Sequence, residues 1–411
     1  MWDRGPTVVL CEPEEGLRYG FVTTRGADVP GVTAFNEAGL CLTAHTRFHR
    51  DVSFGGVGII DLGHELVRRC RTLDDVRRVA AELRTASTWG LLVSSAADRS
   101  AVVVETTAAG TALTGPSPGA SHLATTNRYL DPGLAAGEVT SSPGFVVDSN
   151  ARFARAHAAV RRSEPNGMSR ADLERMLGDT GDPGAPDPEA CDRLAGNCIT
   201  SAMTVKSVVL EPEAARLRLS TGAAPTGLGP WVEVPWSWDG PVGVVAVEGP
   251  AEPAATGHDA AHREAMRLYV AATRAHLDGA SPATVRTRLE RAVEAAPSEP
   301  NLRFLAAIFA IATGDLAAAQ AHLQPALARE HGAYRRALLL SWYVRVLAAD
   351  GQASAAEAAR QELGAIDDAE GVASLKAAAA RERRRPPSRW RLRTVVPDVF
   401  MIDATLPGAP H

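Results

Sequence analysis

The sequence predicts an α+β protein, in which an antiparallel sheet sandwich covered by helices is followed by an all-α helical-repeat domain. Three patterns carry this prediction. Short apolar runs follow one another with Gly or Pro between them, amphipathic segments are grouped apart from those runs, and glycines recur toward the C-terminus at the spacing of a helical hairpin. Strands in one group and helices in another are typical of antiparallel sheets packed against helices.

The predicted strands fall into groups joined by short links, and such strands pair antiparallel. The first group is 6–10 (PTVVL), 17–24 (LRYGFVTT), 31–35 (GVTAF) and 39–46 (GLCLTAHT). A second pair is predicted in 90–107 (GLLVSSAADRSAVVVETT) around a polar turn. A third is predicted in 205–222 (VKSVVLEPEAARLRLSTG) around Glu211 and Pro212.

Two helices are predicted between the first and second strand groups, because the spacing of apolar residues changes to that of a helix at 57–70 and again at 72–86. The second helix has Thr72 as its N-cap. Asp74 and Asp75 follow in the first turn, where the helix dipole favours negative charge.

The region from about 255 to 370 is predicted to consist of helical repeats. Gly279, Gly314 and Gly351 are 35 and 37 residues apart, and each ends a helical segment. Two helices per period of about 34 residues is the tetratricopeptide pattern. Any other array of helical hairpins fits the same spacing. Either array stacks into a core and exposes a surface suited to protein contact or self-association.

The predicted domains are therefore 1–245 for the sheet sandwich, 255–370 for the repeats and 371–411 for a basic, partly extended tail. The tail contains 381–393 (RERRRPPSRWRLR), in which seven residues are arginines. A solvated basic segment explains this composition, since the rest of the chain gives no sign of nucleic-acid binding.

The overall composition excludes several classes of protein. The chain has 411 residues, with 43 basic against 48 acidic residues, which is too even for a nucleic-acid or membrane-surface protein. No apolar run reaches the roughly 20 residues of a membrane span, and the first residues lack the apolar core of a signal peptide. A cytoplasmic location is expected.

The cysteines give no sign of a disulfide framework or a metal site. Cys11, Cys41, Cys70, Cys191 and Cys198 are an odd set without paired spacing. Free cysteines in apolar runs are usually small core residues.

Four segments, taken in order, resemble the isopenicillin-N acyltransferase family, which comprises cysteine members of the N-terminal-nucleophile (Ntn) hydrolases. They are 31–46 (GVTAFNEAGLCLTAHT), 122–130 (HLATTNRYL), 149–156 (SNARFARA) and 196–212 (GNCITSAMTVKSVVLEP). The resemblance covers roughly residues 2–240 and implies an αββα sandwich of antiparallel sheets.

The resemblance also implies roles for individual residues. Asn127 matches the asparagine whose amide stabilises the tetrahedral oxyanion, and Arg152 matches an arginine that orients the nucleophile. Thr46 matches a second polar group on the oxyanion side. His45 and Asn36 are placed at the substrate pocket, with Asn36 in a structural role at the strand-entry turn.

The residues alone leave other interpretations open for two of these positions. Asn127 is equally suited to a turn, and residues 151–162 (ARFARAHAAVRR) form an arginine-rich amphipathic helix whatever its function.

The nucleophile is where the sequence departs from the family. The family uses a cysteine that becomes the first residue after self-cleavage, so that its own α-amine activates its thiol. None of the five cysteines fits this part, and the nucleophile is expected upstream of residue 1. The chain as given is accordingly expected to lack amidase activity.

The function implied is acyl transfer or amide hydrolysis at linear C–N bonds through an acyl-cysteine intermediate, with a small acylated amine or amide as substrate. No cofactor is expected, although an acyl-coenzyme A could serve as acyl donor. The alternative is a catalytically inactive Ntn-like binding or scaffold protein that acts through its helical repeats.

Overall fold

The structure is a computed structural model in which the chain divides into two compact units. It describes residues 6–24, 32–86, 88–139, 142–163, 167–181, 193, 196–201, 204–222, 224–234, 236–245, 247 and 260–405. The sheet unit comprises Met1–Ser141, Ala156–Gly178 and Thr204–Thr256, and the helical unit comprises Ser142–Arg155, Asp179–Met203 and Gly257–His411. This division differs from a single boundary between 245 and 255, because two earlier segments pack within the helical unit.

The sheet unit contains most of the strands, and the predicted strand groups are confirmed. Its strands are β1 (Pro6–Cys11), β2 (Tyr19–Thr24), β3 (Thr33–Asn36), β4 (Leu40–Thr46), β5 (Trp89–Ser95), β6 (Ser100–Thr107), β7 (Gly110–Thr114), β8 (Val208–Glu211), β9 (Arg216–Ser220), β10 (Trp231–Val234) and β11 (Gly243–Val245). The first helices of the chain are α1 (Ile59–Arg69), α2 (Leu73–Glu82), α3 (Pro132–Ala135), α4 (Pro143–Ser163) and α5 (Arg170–Leu177). Strands β7, β10 and β11 were not predicted from the sequence.

Two antiparallel sheets are formed by the described residues of this unit. The larger has the order β11-β1-β2-β3-β4-β5-β6-β7, and the smaller has the order β10-β9-β8. Neighbouring strands of the larger sheet follow each other along the chain except at β11, which returns to pair with β1. Short links between successive strands produce this meander.

Helices α1 and α2 cover one face of the larger sheet. Alternate residues of β4, such as Leu40 and Leu42, pack with Leu62 and Leu66 of α1 and Val76 of α2 in one buried cluster. The predicted cap of α2 is confirmed, since the Asp75 backbone N–H donates to the Thr72 hydroxyl at 3.3 Å. We call this surface of the larger sheet its helix face.

The opposite face of the larger sheet packs against the smaller sheet. Val8, Phe35 and Cys41 share a buried cluster with Leu217 and Leu219 of β9. We call this surface the inter-sheet face.

Helix α5 lies on the far side of the smaller sheet. There, Arg218, whose neighbours Leu217 and Leu219 face the larger sheet, donates to Glu174 of α5 at 2.6 Å. The layers are therefore helix, sheet, sheet and helix, so the predicted α+β class and αββα order are confirmed.

The helical unit is built mainly from consecutive antiparallel helices. They are α6 (Ala260–Leu277), α7 (Pro282–Ala295), α8 (Pro300–Thr313), α9 (Leu316–Arg329), α10 (Ala333–Ala349), α11 (Ala353–Ala365), α12 (Val372–Arg384) and α13 (Arg389–Arg393), followed by β12 (Val396–Asp398) and β13 (Asp403–Thr405). Gly279, Gly314 and Gly351 follow the ends of α6, α8 and α10 with φ near +80°, a conformation that favours glycine. The helical hairpins are thus confirmed, whereas their assignment to tetratricopeptide repeats stays a prediction. No helix in the described part of the chain is long and apolar enough to cross a membrane.

The C-terminal segment is more ordered than the tail predicted for 371–411. The loop between β12 and β13 packs on the helices, where Val399 is buried and its carbonyl oxygen accepts the Tyr269 hydroxyl. The Trp342 indole N–H donates to the Ala404 carbonyl at 3.3 Å, and the Tyr334 hydroxyl donates to Asp403 at 2.7 Å. The run of arginines hid this order, because the apolar residues that anchor the segment lie beyond it.

Two valines of this hairpin test its packing. Val399 is 4% exposed and Val396 is 53% exposed. Val399→Ala should lower the free energy of unfolding by about 1.5 to 3 kcal/mol, because it removes buried methyl groups and leaves a cavity. Val396→Ala should change it by less than about 0.5 kcal/mol. Denaturation followed by helical circular dichroism measures both, and equal effects would indicate a solvated tail.

Candidate active site

One end of the larger sheet gathers a set of polar groups. Strand β4 ends there at Thr46, β5 begins there at Trp89, and β6 ends there at Thr107. The register pairs Thr46 with Trp89 and His45 with Gly90. The segment 124–131, which contains the predicted oxyanion asparagine, lies against this end of the sheet.

Asn127 is held by the last residue of β4. Its side-chain amide donates to the Thr46 carbonyl oxygen at 3.0 Å. The contact fixes the plane of the amide, so both of its N–H groups have defined directions. The predicted site residues Asn127 and Thr46 are therefore in contact, although Thr46 contributes its backbone carbonyl oxygen to this contact and not its hydroxyl.

His45 and Thr46 point to opposite faces of the sheet, because side chains alternate along a strand. Thr46 shares its face with Leu40 and Leu42, which pack under the helices. His45 shares the inter-sheet face with Cys41. Only His45 of the two therefore projects its side chain between the sheets, and its role in a substrate pocket stays a prediction.

Asn36 has four hydrogen bonds within the protein. Its amide donates to the carbonyl oxygens of Val67 and Cys70 at the end of α1, each at 2.8 Å. Its side-chain oxygen accepts the backbone N–H groups of Ala38 and Leu40, at 3.1 and 3.0 Å. These contacts use the full hydrogen-bonding capacity of the side chain and tie the β3–β4 turn to a helix. They describe a structural role, and a place for Asn36 in the substrate pocket remains a prediction.

A buried ion pair lies beneath the Asn127 segment. The guanidinium of Arg47 contacts the carboxylate of Glu105, and both side chains are fully buried. Arg47 also lies over the Tyr129 ring, with 5.2 Å from its Cζ to the ring centroid. Burial lowers the pKa of Arg47, and the Glu105 charge opposes this shift. Because Arg47 is removed from water, its positive charge is stabilised mainly by the Glu105 carboxylate.

The ion pair fixes the chain on both sides of Asn127. On one side, Arg47 donates to the Thr125 hydroxyl at 2.8 Å. On the other, the two oxygens of Glu105 accept the backbone N–H groups of Leu130 and Asp131, at 2.7 and 2.8 Å. Asn127 thus belongs to a short segment whose two ends are hydrogen-bonded to the same buried pair.

Gly90 makes room for this arrangement. A β-carbon placed there would overlap the guanidinium of Arg47, which crosses the sheet directly over Gly90. The Tyr129 hydroxyl donates to the Thr106 carbonyl oxygen at 3.0 Å and attaches the same segment to β6. Burial raises the pKa of Tyr129, so the hydroxyl stays protonated and remains a donor.

Arg152 lies on α4 within the helical unit. It donates to Asp148 at 2.9 Å, and the other oxygen of Asp148 accepts the Asn197 backbone N–H at 2.9 Å. One turn further, Arg155 makes two hydrogen bonds of 2.6 Å to Asp179. Both arginines therefore contact carboxylates in their own unit, and the orienting role of Arg152 stays a prediction.

The described cysteines include three buried thiols. Burial raises the pKa of Cys41 and of Cys70 to about 12. Burial also raises the pKa of Cys198, whose Sγ lies 2.8 Å from the Thr200 carbonyl oxygen that accepts its proton. Such thiols are protonated at neutral pH and are poor nucleophiles. Cys191 lies outside the described residues.

The sequence interpretation missed Arg47, Glu105 and Tyr129. A signal for one of them was present, because Glu105 is a charged residue inside the apolar strand AVVVETT, and a buried charge requires a partner. The identity of that partner was not visible. In the described part of the chain, no group of three or more His, Cys, Asp or Glu side chains could hold a metal ion.

Four layers in the order helix, sheet, sheet and helix define the class of this protein, an α+β sandwich. Residues 7–210 match the family model described as acyl-coenzyme A:6-aminopenicillanic acid acyl-transferase. This part of the chain is therefore similar to that family, in agreement with the resemblance found in the sequence.

Two solved structures are similar to the chain. One is a mutant conjugated bile acid hydrolase from Clostridium perfringens, with 9% identity, 57% of this chain and 89% of that chain covered, and a TM-score of 0.38. The other is penicillin V acylase from Agrobacterium tumefaciens, with 14% identity, 56% and 78% covered, and a TM-score of 0.31. Among curated proteins, no match to this chain is found.

The buried pair can be tested by removing one charge. Glu105→Gln should lower the free energy of unfolding by about 3 to 5 kcal/mol, because it leaves Arg47 buried without a counter-charge. The matched control is Glu213→Gln, which removes the partner of Arg99 from an ion pair of 2.9 Å that is largely exposed. That variant should lose less than about 1 kcal/mol. Similar losses in chemical denaturation would contradict the role given to the pair.

Thiol labelling tests the three buried cysteines. At pH 8, alkylation of Cys41, Cys70 and Cys198 should be very slow in the folded chain and fast after denaturation, because only thiolates react and burial suppresses them. Peptide mapping by mass spectrometry resolves the individual sites. Rapid labelling of any of the three in the folded protein would mark it as a candidate nucleophile instead.

Proposed function

We propose that the sheet unit belongs to a cysteine acyltransferase or amidohydrolase that cleaves linear C–N amide bonds through an acyl-cysteine intermediate. The observation that carries this proposal is the fixed amide of Asn127 on a segment held at both ends by a buried ion pair. The match of residues 7–210 to the acyl-transferase family model supports the same chemistry.

The role of Asn127 follows from where charge develops in the reaction. A thiolate attacks the amide carbon, a C–S bond forms, and the carbonyl oxygen becomes negative. A neutral donor with a fixed direction stabilises that oxygen without having to reorganise. The C–N bond then breaks, the amine leaves with a proton, and the acyl group remains on sulfur until water or another amine accepts it.

The nucleophile of the proposed reaction is a cysteine upstream of residue 1, with its own α-amine as the base. The buried, protonated thiols of Cys41, Cys70 and Cys198 support this assignment, because none of them is suited to attack. Mass spectrometry of the protein expressed from its full genomic context would show self-cleavage and reveal the mature N-terminus. A mature protein that begins at Met1 and still turns over amides would refute the upstream nucleophile.

The proposed substrate is a small acylated amine or amide. The family description names an acyl-coenzyme A and an aminopenicillanic acid, and the similar structures are a bile acid hydrolase and a penicillin acylase. Transfer and hydrolysis share the acyl-enzyme and differ only in the acceptor. Protein contact or self-association through the helical unit, and a cytoplasmic location, remain proposals alongside the reaction.

Substitution of Asn127 tests the oxyanion assignment in a form that contains the upstream segment. Asn127→Ala should lower kcat by about 100- to 1000-fold with little change in KM, because the lost donor acts mainly on the transition state. Steady-state kinetics with an N-acyl amino acid gives both parameters. Loss of substrate affinity alone would contradict an oxyanion role.

Asn36→Ala is the matched control. It removes four internal hydrogen bonds and should lower the free energy of unfolding by about 3 kcal/mol, because buried groups lose their partners. Its kcat at a temperature where it is folded should stay within a few-fold of the parent. If kcat falls by the same factor in both variants, Asn127 does not act as a specific oxyanion donor.

A further inference from the structure

Residues 381–393, which we call the basic segment, carry seven arginines and one acidic residue, Glu382. The segment is ordered within the helical unit, because it contains the end of α12 and all of α13 and is anchored by the buried Pro387 and Leu392. All seven arginine side chains are nevertheless exposed. The even balance of charge over the whole chain therefore conceals a local concentration of positive charge on one unit.

The carboxylates near the basic segment are already paired. Glu382 accepts a hydrogen bond of 2.8 Å from Arg345, which is buried. Glu357 of α11 is shared by Arg360 and Arg383, each at 3.1 Å. These carboxylates therefore leave most of the positive charge of the segment uncompensated.

Five of the seven arginines form no ion pair with any residue that the structure describes. They are Arg381, Arg384, Arg385, Arg391 and Arg393. Arg381 and Arg384 are three positions apart and lie on one face of α12, and Arg385 is the C-cap of that helix. A helix dipole favours cations only within the last turn, so the dipole of α12 does not account for Arg391 on α13.

An exposed aromatic ring lies within the same segment. Trp390 is 73% exposed, although the helix that carries it is fixed. Its neighbour Arg389 donates to the Ala349 carbonyl oxygen at 3.2 Å and to Asp350 at 3.0 Å, which holds the start of α13 at the end of α10. Tryptophan and arginine together are typical of segments that lie at the interface between a membrane and water.

We propose that the basic segment binds the surface of a membrane rich in anionic lipids. The arginines contact the phosphates of the headgroups, to which a guanidinium can donate two parallel hydrogen bonds, and Trp390 inserts at the level of the headgroups. Clusters of four to eight basic residues bind such surfaces, and this segment has seven. The binding is independent of the proposed reaction, because it uses neither the upstream cysteine nor Asn127.

A nucleic acid is the other polyanion that a basic segment could bind, and it fits this segment less well. Proteins that bind single strands without sequence preference stack successive bases on several aromatic side chains along a groove. Trp390 is the only aromatic residue of the basic segment. A membrane surface requires only the charge and one interfacial anchor.

Co-sedimentation of the folded full-length chain with vesicles tests the proposal. The chain should bind vesicles of phosphatidylcholine that contain about 40% phosphatidylglycerol, and should not bind vesicles of phosphatidylcholine alone at the same lipid concentration. Binding should be lost when the salt concentration is raised from about 0.05 M to about 0.5 M, because salt screens exposed charges.

A triple variant removes three of the unpaired charges. Arg381→Gln, Arg384→Gln and Arg385→Gln together should lower the affinity for the anionic vesicles by roughly 100-fold, since each basic residue near such a surface contributes about fivefold. Trp390→Ala should weaken binding severalfold and leave its salt dependence unchanged, because it removes only an apolar contribution. Circular dichroism checks that both variants are folded.

The matched control changes the net charge by the same amount in the sheet unit. Arg77→Gln, Arg78→Gln and Arg99→Gln together remove three exposed arginines, and this variant should bind as the parent does. The proposal is overturned if the parent does not bind anionic vesicles, if it binds phosphatidylcholine equally well, or if the two triple variants lose the same affinity. It is also overturned if a single-stranded oligonucleotide at equal phosphate concentration displaces the chain from the vesicles, which would identify nucleic acid as the partner.

Discussion

The candidate site depends on one interaction, the buried ion pair between Arg47 and Glu105. Taking two charges out of water is costly, and the cost is offset only when each charge is paired and its remaining hydrogen bonds are made. Here three further hydrogen bonds of the pair go to the segment around Asn127, and a fourth joins the Thr114 hydroxyl of β7 to Glu105 at 2.8 Å. Because the buried charges need these hydrogen bonds, the pair also holds the segment that carries the Asn127 amide in place.

In the helical unit, two buried arginines also make hydrogen bonds to segments of that unit that are distant in sequence. Arg193, from a segment that precedes the helices, makes two hydrogen bonds of 3.1 Å to Glu330. Arg335 of α10 donates to the Ile402 carbonyl oxygen at 2.6 Å. Segments distant in sequence therefore cover parts of the helical surface. In a bare array of helical hairpins, those parts would be open to another protein. A binding partner of this unit would therefore contact what these segments leave exposed.

The sequence was sufficient for features that depend on local patterns. The strands around the β3–β4 turn, the cap of α2 and the helix-ending glycines followed from periodicity and turn chemistry. The αββα order came from the family resemblance, because layering is not encoded within any single segment. The Arg47–Glu105 pair could not be derived, since its members are 58 positions apart and pair only after β4, β5 and β6 have aligned. The hairpin after α13 was missed because its anchors are few and lie beyond a strongly basic run.

The alternation along β4 has a consequence for how the protein can change during evolution. Leu40 and Leu42 contribute to the core beneath the helices, whereas Cys41 faces the other sheet, and Thr43 and His45 continue that face toward the end that carries the candidate site. Substitutions at 43 and 45 can therefore alter the inter-sheet space while the helix-facing core is preserved. An insertion of one residue in the strand would exchange the two faces and disrupt both. Diversification of this strand should consequently proceed by replacement at every second position and almost never by a change in length.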